Sequence, residues 1–301
     1  AGFVNFWREP IFASDCTTIN GKSVTETIYC LNYLKSIQNE LFALARGAAQ
    51  PHVYPEDIKK LKIPLPPLEI QTKIVAECEQ IDKAVDKAKE EIEKSKEAIA
   101  EKVANTFLQC YTSKKVSEIC FVNPSKTEIR NVDENTLVSF IEMASVSNEG
   151  FITNKEDRLL KDLKKGSFTY FRENDIIIAK ITPCMENGKC ALAKGLTNGL
   201  AMGSSEFHVF RVKENVVSDY LFAFLNRKEV RKEAEQKMTG SSGHRRVPAS
   251  FYEDISIPIP PLSIQQTLVS EIAILEARIS AAEQIIASAA GEKQKVMEQY
   301  L

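Results

Sequence analysis

Two long stretches of the chain share one spacing of apolar positions. Between residues 74 and 99, apolar or small residues recur at alternating steps of four and three, and the same steps recur from residue 268 to residue 293. This is the a/d pattern of a coiled coil. The first seam comprises Ile74, Cys78, Ile81, Val85, Ala88, Ile92, Ser95 and Ile99, and the second comprises Leu268, Ile272, Leu275, Ile279, Ala282, Ile286, Ala289 and Lys293.

A proline motif precedes each seam. Residues 63–71 (IPLPPLEIQ) recur as residues 257–265 (IPIPPLSIQ), an offset of 194 residues with seven of nine positions identical. The prolines stop a helix at the joint. From residue 69 to about residue 111 there is no proline or glycine, which predicts a helix roughly 60 Å long. Because such a helix must bury its apolar stripe, we expect the two helices to form an antiparallel coiled coil. The alternative is that each helix packs on its own globular region.

The region between the helices, residues 112–262, combines both kinds of secondary structure. Segments rich in β-branched residues predict strands at residues 137–141 and 175–181, and clean alternation predicts a third strand at residues 206–212. Helical spacing predicts one helix over residues 218–237, with Ser218 and Asp219 available as its N-cap. Polar segments predict three loops, at residues 182–189, 200–206 and 239–247. Strands outnumber helices without βαβ alternation, so we predict an α+β fold class, mixed α/β domains linked by the two long helices.

Composition narrows the function classes. The 301 residues are 44% hydrophobic and 27% charged with a net charge of −2, as in an ordinary globular protein, and no apolar run could span a bilayer. The first residues lack the features of a signal peptide. Seven cysteines without a Cys-x-x-Cys pair, and three scattered histidines, predict reduced thiols and no zinc site. We therefore expect a cytoplasmic protein that uses no membrane and no cofactor.

Four strings in combination resemble the target recognition domain of type I restriction–modification specificity (S) subunits. They are residues 171–193 (FRENDIIIAKITPCMENGKCALA), 203–212 (GSSEFHVFRV), 239–247 (TGSSGHRRV) and 257–265. The resemblance implies two such domains, each followed by a long helix, and each reading one half of a split DNA target. It also implies double-stranded DNA, methyltransferase (modification) subunits and a restriction/motor subunit as partners.

By this resemblance the chain divides into four segments. They are a partial first target recognition domain (1–68), a central long helix (69–111), a complete second target recognition domain (112–262) and a distal long helix (263–301). Residues 1–68 match only the later part of the second domain, and residues 116–199 have no counterpart. The missing first half and the lack of an initiator Met suggest a fragment or an altered gene product, although processing would also remove the Met. One hypothesis is that a second copy or another chain completes the first domain.

The predicted loops, together with Lys180 near the end of the predicted strand 175–181, supply the candidate DNA-binding residues. Small residues let a backbone approach phosphate closely, and arginine suits both phosphate and the paired acceptors of guanine. The candidates are Lys180, Thr182, Asn187, Lys189, Ser204, Ser205, Ser241, Ser242, His244, Arg245 and Arg246.

No catalytic motif is found. The sequence has no Asn/Asp-Pro-Pro-aromatic tetrapeptide, no G-x-x-x-x-G-K-[ST] phosphate loop and no convincing Asp…Glu-x-Lys nuclease cluster. We therefore predict a non-catalytic recognition subunit without a metal site. Two alternatives remain: a coiled-coil scaffold that binds protein, and the recognition region of a single-chain restriction–methyltransferase.

Overall fold

A computed structural model describes residues 1–7, 9, 12, 16–47, 51–109, 111–241 and 243–301. They form two compact units, residues 1–97 with 275–301, and residues 98–274. The helices are α1 (Val24–Ser36), α2 (Gln38–Ala43), α3 (Pro55–Ile58), α4 (Leu68–Leu108), α5 (Val116–Ile119), α6 (Leu160–Lys164), α7 (Ser218–Leu225), α8 (Lys228–Gln236), α9 (Ala249–Asp254) and α10 (Leu262–Tyr300). Within the described ranges, no helix is both long and apolar enough to cross a membrane.

Among the described residues, the strands all lie in the second unit. They are β1 (Ser113–Lys115), β2 (Cys120–Val122), β3 (Leu137–Ile141), β4 (Glu156–Leu159), β5 (Thr169–Arg172), β6 (Ile176–Ala179), β7 (Cys190–Leu192), β8 (Leu200–Gly203), β9 (Phe207–Val212) and β10 (Ser256–Pro258). One four-stranded sheet has the order β2-β9-β6-β7, another has the order β4-β3-β8-β5, and β1 pairs with β10. Side chains from both four-stranded sheets, among them Ile141, Phe171, Ile177 and Phe207, share one core cluster.

The long helices α4 and α10 bury the seams that the sequence spacing predicts. All sixteen seam positions are buried or half-buried. In the first unit the Tyr300 hydroxyl donates to Glu77 (2.6 Å) and the Lys293 ammonium donates to Asp82 (2.6 Å). As the residue numbers rise along α4, those of the contacting residues in α10 fall, so the two helices are antiparallel. The predicted fold class, α+β with an antiparallel coiled coil, is confirmed.

In the second unit, the ends of both long helices also enter the globular core. Val103 and Phe107 of α4 and Leu268 of α10 belong to the same cluster as residues of α7 and α9. The Phe107 ring lies edge-on to Phe224 of α7, with centroids 5.0 Å apart. In the second unit the two long helices therefore also pack on the globular region, which was the alternative to the coiled coil.

Two local predictions are wrong. The single helix expected over residues 218–237 is two helices, α7 and α8, separated at Asn226 and Arg227, and the N-cap residue Val217 makes no side-chain cap. The Asn226 side-chain carbonyl instead accepts from Cys190 (3.1 Å) and Arg231 (3.1 Å), and a polar side chain held this way favours a helix end.

The segment 200–206 is also not entirely a loop, because Leu200–Gly203 forms β8. A Cβ at Gly203 would lie 2.6 Å from the Ile141 carbonyl oxygen. The absence of a side chain therefore permits the close approach of β8 to β3, which hydrophobic alternation does not reveal.

The 194-residue repeat recurs in the structure. The offset relates the first residues of α1 and α7 (24 and 218), α3 and α9 (55 and 249), and α4 and α10 (68 and 262). In both copies a tyrosine hydroxyl and a glutamine amide donate to carbonyl oxygens of the proline motif. In the first copy Tyr29 donates to Pro64 (2.5 Å) and Gln71 to Pro66 (2.8 Å). In the second copy Tyr220 donates to Pro258 (2.8 Å) and Gln265 to Pro260 (2.9 Å).

The copies differ at the glutamine carbonyl. In the second copy Gln265 Oε1 accepts the backbone N–H of Val217 at 2.9 Å. In the first copy Gln71 Oε1 is buried and has no donor among the residues that the structure describes. A buried carbonyl without a donor destabilises a fold, so this position is suited to a further backbone N–H.

Candidate nucleic-acid interface

The structure brings together segments that are far apart in sequence. The segment after β6, residues 180–189 (the β6 loop), lies beside residues 239–247 (the glycine loop). The Thr182 N–H donates to the Arg245 carbonyl (3.0 Å), and the Val247 N–H donates to the Lys180 carbonyl (2.9 Å). The Lys180 N–H donates to the Glu206 carbonyl (2.9 Å), which adds the turn before β9. Parts of all three predicted loops therefore meet at one place.

Glycine shapes the glycine loop. Gly240 has a φ of +119°, and a Cβ there would lie 2.8 Å from the His244 carbonyl oxygen. Across the base of the loop, Thr239 and Arg246 exchange backbone hydrogen bonds of 3.0 and 2.8 Å. The backbone of Arg246 is thus held by its own loop, while its neighbours bond to the β6 loop.

Both arginines of the glycine loop are paired with carboxylates. Arg246 donates through Nε (2.9 Å) and Nη2 (2.8 Å) to the two oxygens of Glu206. Arg245 makes a single, longer bond of 3.3 Å to Glu186. The hydrogen bond from Arg246 lowers the pKa of Glu206, although its partial burial acts in the opposite direction. The site therefore holds two ion pairs of unequal geometry.

These carboxylates were missed as site residues by sequence reasoning. Glu186 lies within the predicted loop 182–189 and Glu206 lies where a predicted loop meets a predicted strand, and neither is among the candidate residues. Their partners lie 59 and 40 residues away along the chain. The one available signal was charge balance, since two adjacent arginines concentrate positive charge and attract nearby anions.

The remaining candidate residues differ in their exposure and in their contacts. Asn187, Ser205, Ser241 and His244 are exposed, and Ser242 lies outside the described residues. The half-buried Lys180 directs its ammonium to no hydrogen-bond acceptor within the described part of the chain. The others support the loops: the Thr182 hydroxyl donates to Glu186 (3.0 Å), Ser204 Oγ accepts from the Glu206 N–H (3.2 Å), and the Lys189 ammonium donates to the carbonyls of Met143 (3.0 Å) and Val146 (2.9 Å).

A buried histidine lies behind the glycine loop. His208 Nε2 is 2.8 Å from the Val247 carbonyl, and Nδ1 is 3.2 Å from the amide nitrogen of Asn123. Because the carbonyl can only accept, we assign the proton to Nε2 and an acceptor role to Nδ1. This arrangement suits the neutral ring, and burial lowers the pKa of His208 below its ordinary value of 6.5.

Stability should consequently depend on pH through His208. Because the pKa of His208 is lowered in the folded state, the unfolded chain binds the proton more readily. The contribution of His208 to the free energy of unfolding is therefore fully present above pH 6.5 and is lost as the pH falls through the folded pKa. Urea unfolding between about pH 5 and pH 7.5 should show a falling free energy of unfolding at the acid end. His208→Gln should flatten that dependence, and an equal slope in the variant would contradict the assignment.

Comparison with known proteins gives one family. The profile of the family described as "Type I restriction modification DNA specificity domain" matches residues 1–95 and 110–289. The specificity subunit of the type I restriction enzyme EcoAI of Escherichia coli is 38% identical over 156 residues, and that of EcoEI, from the same organism, is 36% identical over 158 residues. Each alignment covers 51% of this chain and 26% of the relative, so the chain spans about a quarter of the length of these relatives.

A solved structure shares the fold. The HsdS subunit from Thermoanaerobacter tengcongensis superimposes with a TM-score of 0.52 at 17% sequence identity, covering 91% of this chain and 69% of that one. At 17% sequence identity, this similarity shows a shared fold and nothing about function.

Proposed function

Because the chain belongs to the family of type I restriction–modification DNA specificity domains, we propose that it is a sequence-specific DNA-recognition subunit without catalysis of its own. The second target recognition domain, residues 112–262, reads one half of a bipartite target, and the coiled coil acts as the spacer between the halves. The observation that carries this proposal is the meeting of the β6 loop, the glycine loop and the turn before β9, which presents Lys180, Arg245 and Arg246 together.

The roles of the loop residues divide by their contacts. Lys180 and Arg245 supply positive charge for phosphate, because neither is held by a close bidentate carboxylate. Asn187, Ser205, Ser241, Ser242 and His244 are polar contacts with base edges or backbone. Thr182, Lys189 and Ser204 hold the loops in shape through the bonds described above.

The partners follow from the same proposal. The chain binds double-stranded DNA in the cytoplasm and positions methyltransferase subunits, which a restriction/motor subunit joins. A second copy or another chain completes the first recognition domain. The buried carbonyl of Gln71 supports this last point, since its counterpart on Gln265 accepts a backbone N–H from the segment preceding α7.

Methylation mapping tests the function. The chain, produced with the methyltransferase subunit of its own system in cells that lack other adenine methylation, should direct methylation to one split sequence with a constant gap. Cells with the methyltransferase subunit alone are the control. Methylation at no split sequence would contradict the recognition function, and a variable gap would contradict the spacer role.

A further inference from the structure

Arg246 has N–H groups that make no hydrogen bond within the described part of the protein. A guanidinium has five N–H groups. One on Nε and one on Nη2 bond to Glu206, and one on Nη1 donates to the His244 carbonyl at 3.2 Å. One N–H on Nη1 and one on Nη2 are left, and the side chain is 45% exposed. Two donors on neighbouring nitrogens match two acceptors in one plane.

Both members of the Arg246–Glu206 pair are held in place. The Arg246 backbone is bonded to Thr239 in both directions. Glu206 is bonded through its carbonyl to the Lys180 N–H and through its N–H to Ser204 Oγ (3.2 Å), and the next residue, Phe207, is 1% exposed. A guanidinium fixed at both its backbone and its head group loses little conformational entropy when it binds, which favours directional recognition.

Charge distinguishes the two ligands that offer paired acceptors. A phosphate carries a negative charge, and Glu206 within hydrogen-bond distance of the guanidinium repels it and offsets the attraction of Arg246. Guanine presents O6 and N7 in the major groove as neutral acceptors, so Glu206 imposes no comparable penalty. Arg245, with its single bond of 3.3 Å to Glu186, is less constrained and lacks this bidentate support.

We propose that Arg246 reads a guanine of the DNA target through its remaining Nη1 and Nη2 N–H groups, and that Glu206 is the positioning residue that orients it. This inference rests on the proposed DNA-recognition function and names the base for one residue of the site. Arg246 is then a determinant of specificity, whereas Lys180 and Arg245 contribute affinity for any sequence.

Selection from a random duplex pool, followed by titrations of the full chain, tests the inference. The wild type should enrich a half-site containing a guanine, and 7-deazaguanine at that position, which lacks the N7 acceptor, should weaken wild-type binding roughly tenfold. Arg246→Lys keeps the charge but removes the planar fork, and Glu206→Gln removes the fixed carboxylate. Both variants should lose the guanine preference and become insensitive to 7-deazaguanine. The wild-type measurement with 7-deazaguanine applies even if a variant fails to fold.

A matched control separates positioning from general effects. Glu156→Gln alters another arginine–glutamate pair, in which Glu156 accepts from Arg158, and should leave the guanine preference intact. If no guanine of the selected half-site responds to either variant or to 7-deazaguanine, this proposal is wrong and the recognition function stands. Uniform weakening by Arg246→Lys across all sequences would assign Arg246 to phosphate and overturn the proposal. If the wild type enriches no sequence, both the guanine proposal and the proposed recognition function are wrong.

Discussion

Replacing Asp175 by alanine should lower the free energy of unfolding by about 3–5 kcal/mol, the range seen when one member of a buried ion pair is removed. Asp175 is 1% exposed and lies between β5 and β6. Its carboxylate accepts from Arg211 Nε (2.8 Å) and Nη2 (2.6 Å) and from the Arg172 N–H (2.7 Å). The substitution removes both bonds from Asp175 to the guanidinium of Arg211, a residue of β9, which keeps only the carboxylate of Glu128 (2.5 Å), and it leaves the Arg172 N–H without this acceptor.

Urea unfolding of the variant and of a matched control measures this effect. Asp254→Ala removes an aspartate whose partner, Lys115, lies 2.8 Å away, but both side chains are more than half exposed. An exposed pair of this kind contributes about 0–1 kcal/mol. Equal losses in the two variants would show that burial of Asp175 does not govern the contribution of its ion pair.

Removing the two cations assigned to phosphate should weaken DNA binding by about 60-fold at about 0.1 M salt. Each phosphate contact releases counterions and adds about 0.9 to the slope of log affinity against log salt. The Lys180→Ala/Arg245→Ala double variant should therefore have a slope shallower by about 1.8. The reason is electrostatic, so the loss should be the same for every DNA sequence.

Titrations of one duplex at several salt concentrations provide the measurement. Lys161→Ala/Lys194→Ala is the matched control, because it removes the same charge at two exposed positions outside the β6 and glycine loops. Its slope should equal that of the wild type. A slope in the Lys180→Ala/Arg245→Ala variant that also equals that of the wild type would place neither residue at the DNA backbone.

The sequence predicts the long helices well for a simple reason. Their apolar positions repeat at a spacing that only a helix can align on one face, so local pattern and tertiary contact agree. One seam position is charged: Lys293 of α10, whose side chain is 17% exposed and pairs with Asp82 of α4. The strands β3, β6 and β9 were also predictable, since most of their residues are β-branched or aromatic and most of their positions are buried.

Other elements were not predictable because their causes lie far along the chain. The helix break at Asn226 depends on Cys190, a residue of β7, and the strand β8 depends on its close approach to β3. Neither contact leaves a periodic signal in the local sequence. Propensity therefore favours a single helix and a loop where tertiary contacts impose a break and a strand.

By itself the amino-acid sequence determined the family resemblance, the two matched helices and the candidate loops, because motifs and heptads are local patterns. Only the tertiary structure decided how the loop residues are used. It placed Glu206 against Arg246, turned the Lys189 ammonium toward two backbone carbonyls and left the Lys180 ammonium without a hydrogen-bond acceptor among the described residues. Pairing of charges depends on distance in space, and residues 40 or more apart in sequence acquire that distance only when the sheets assemble.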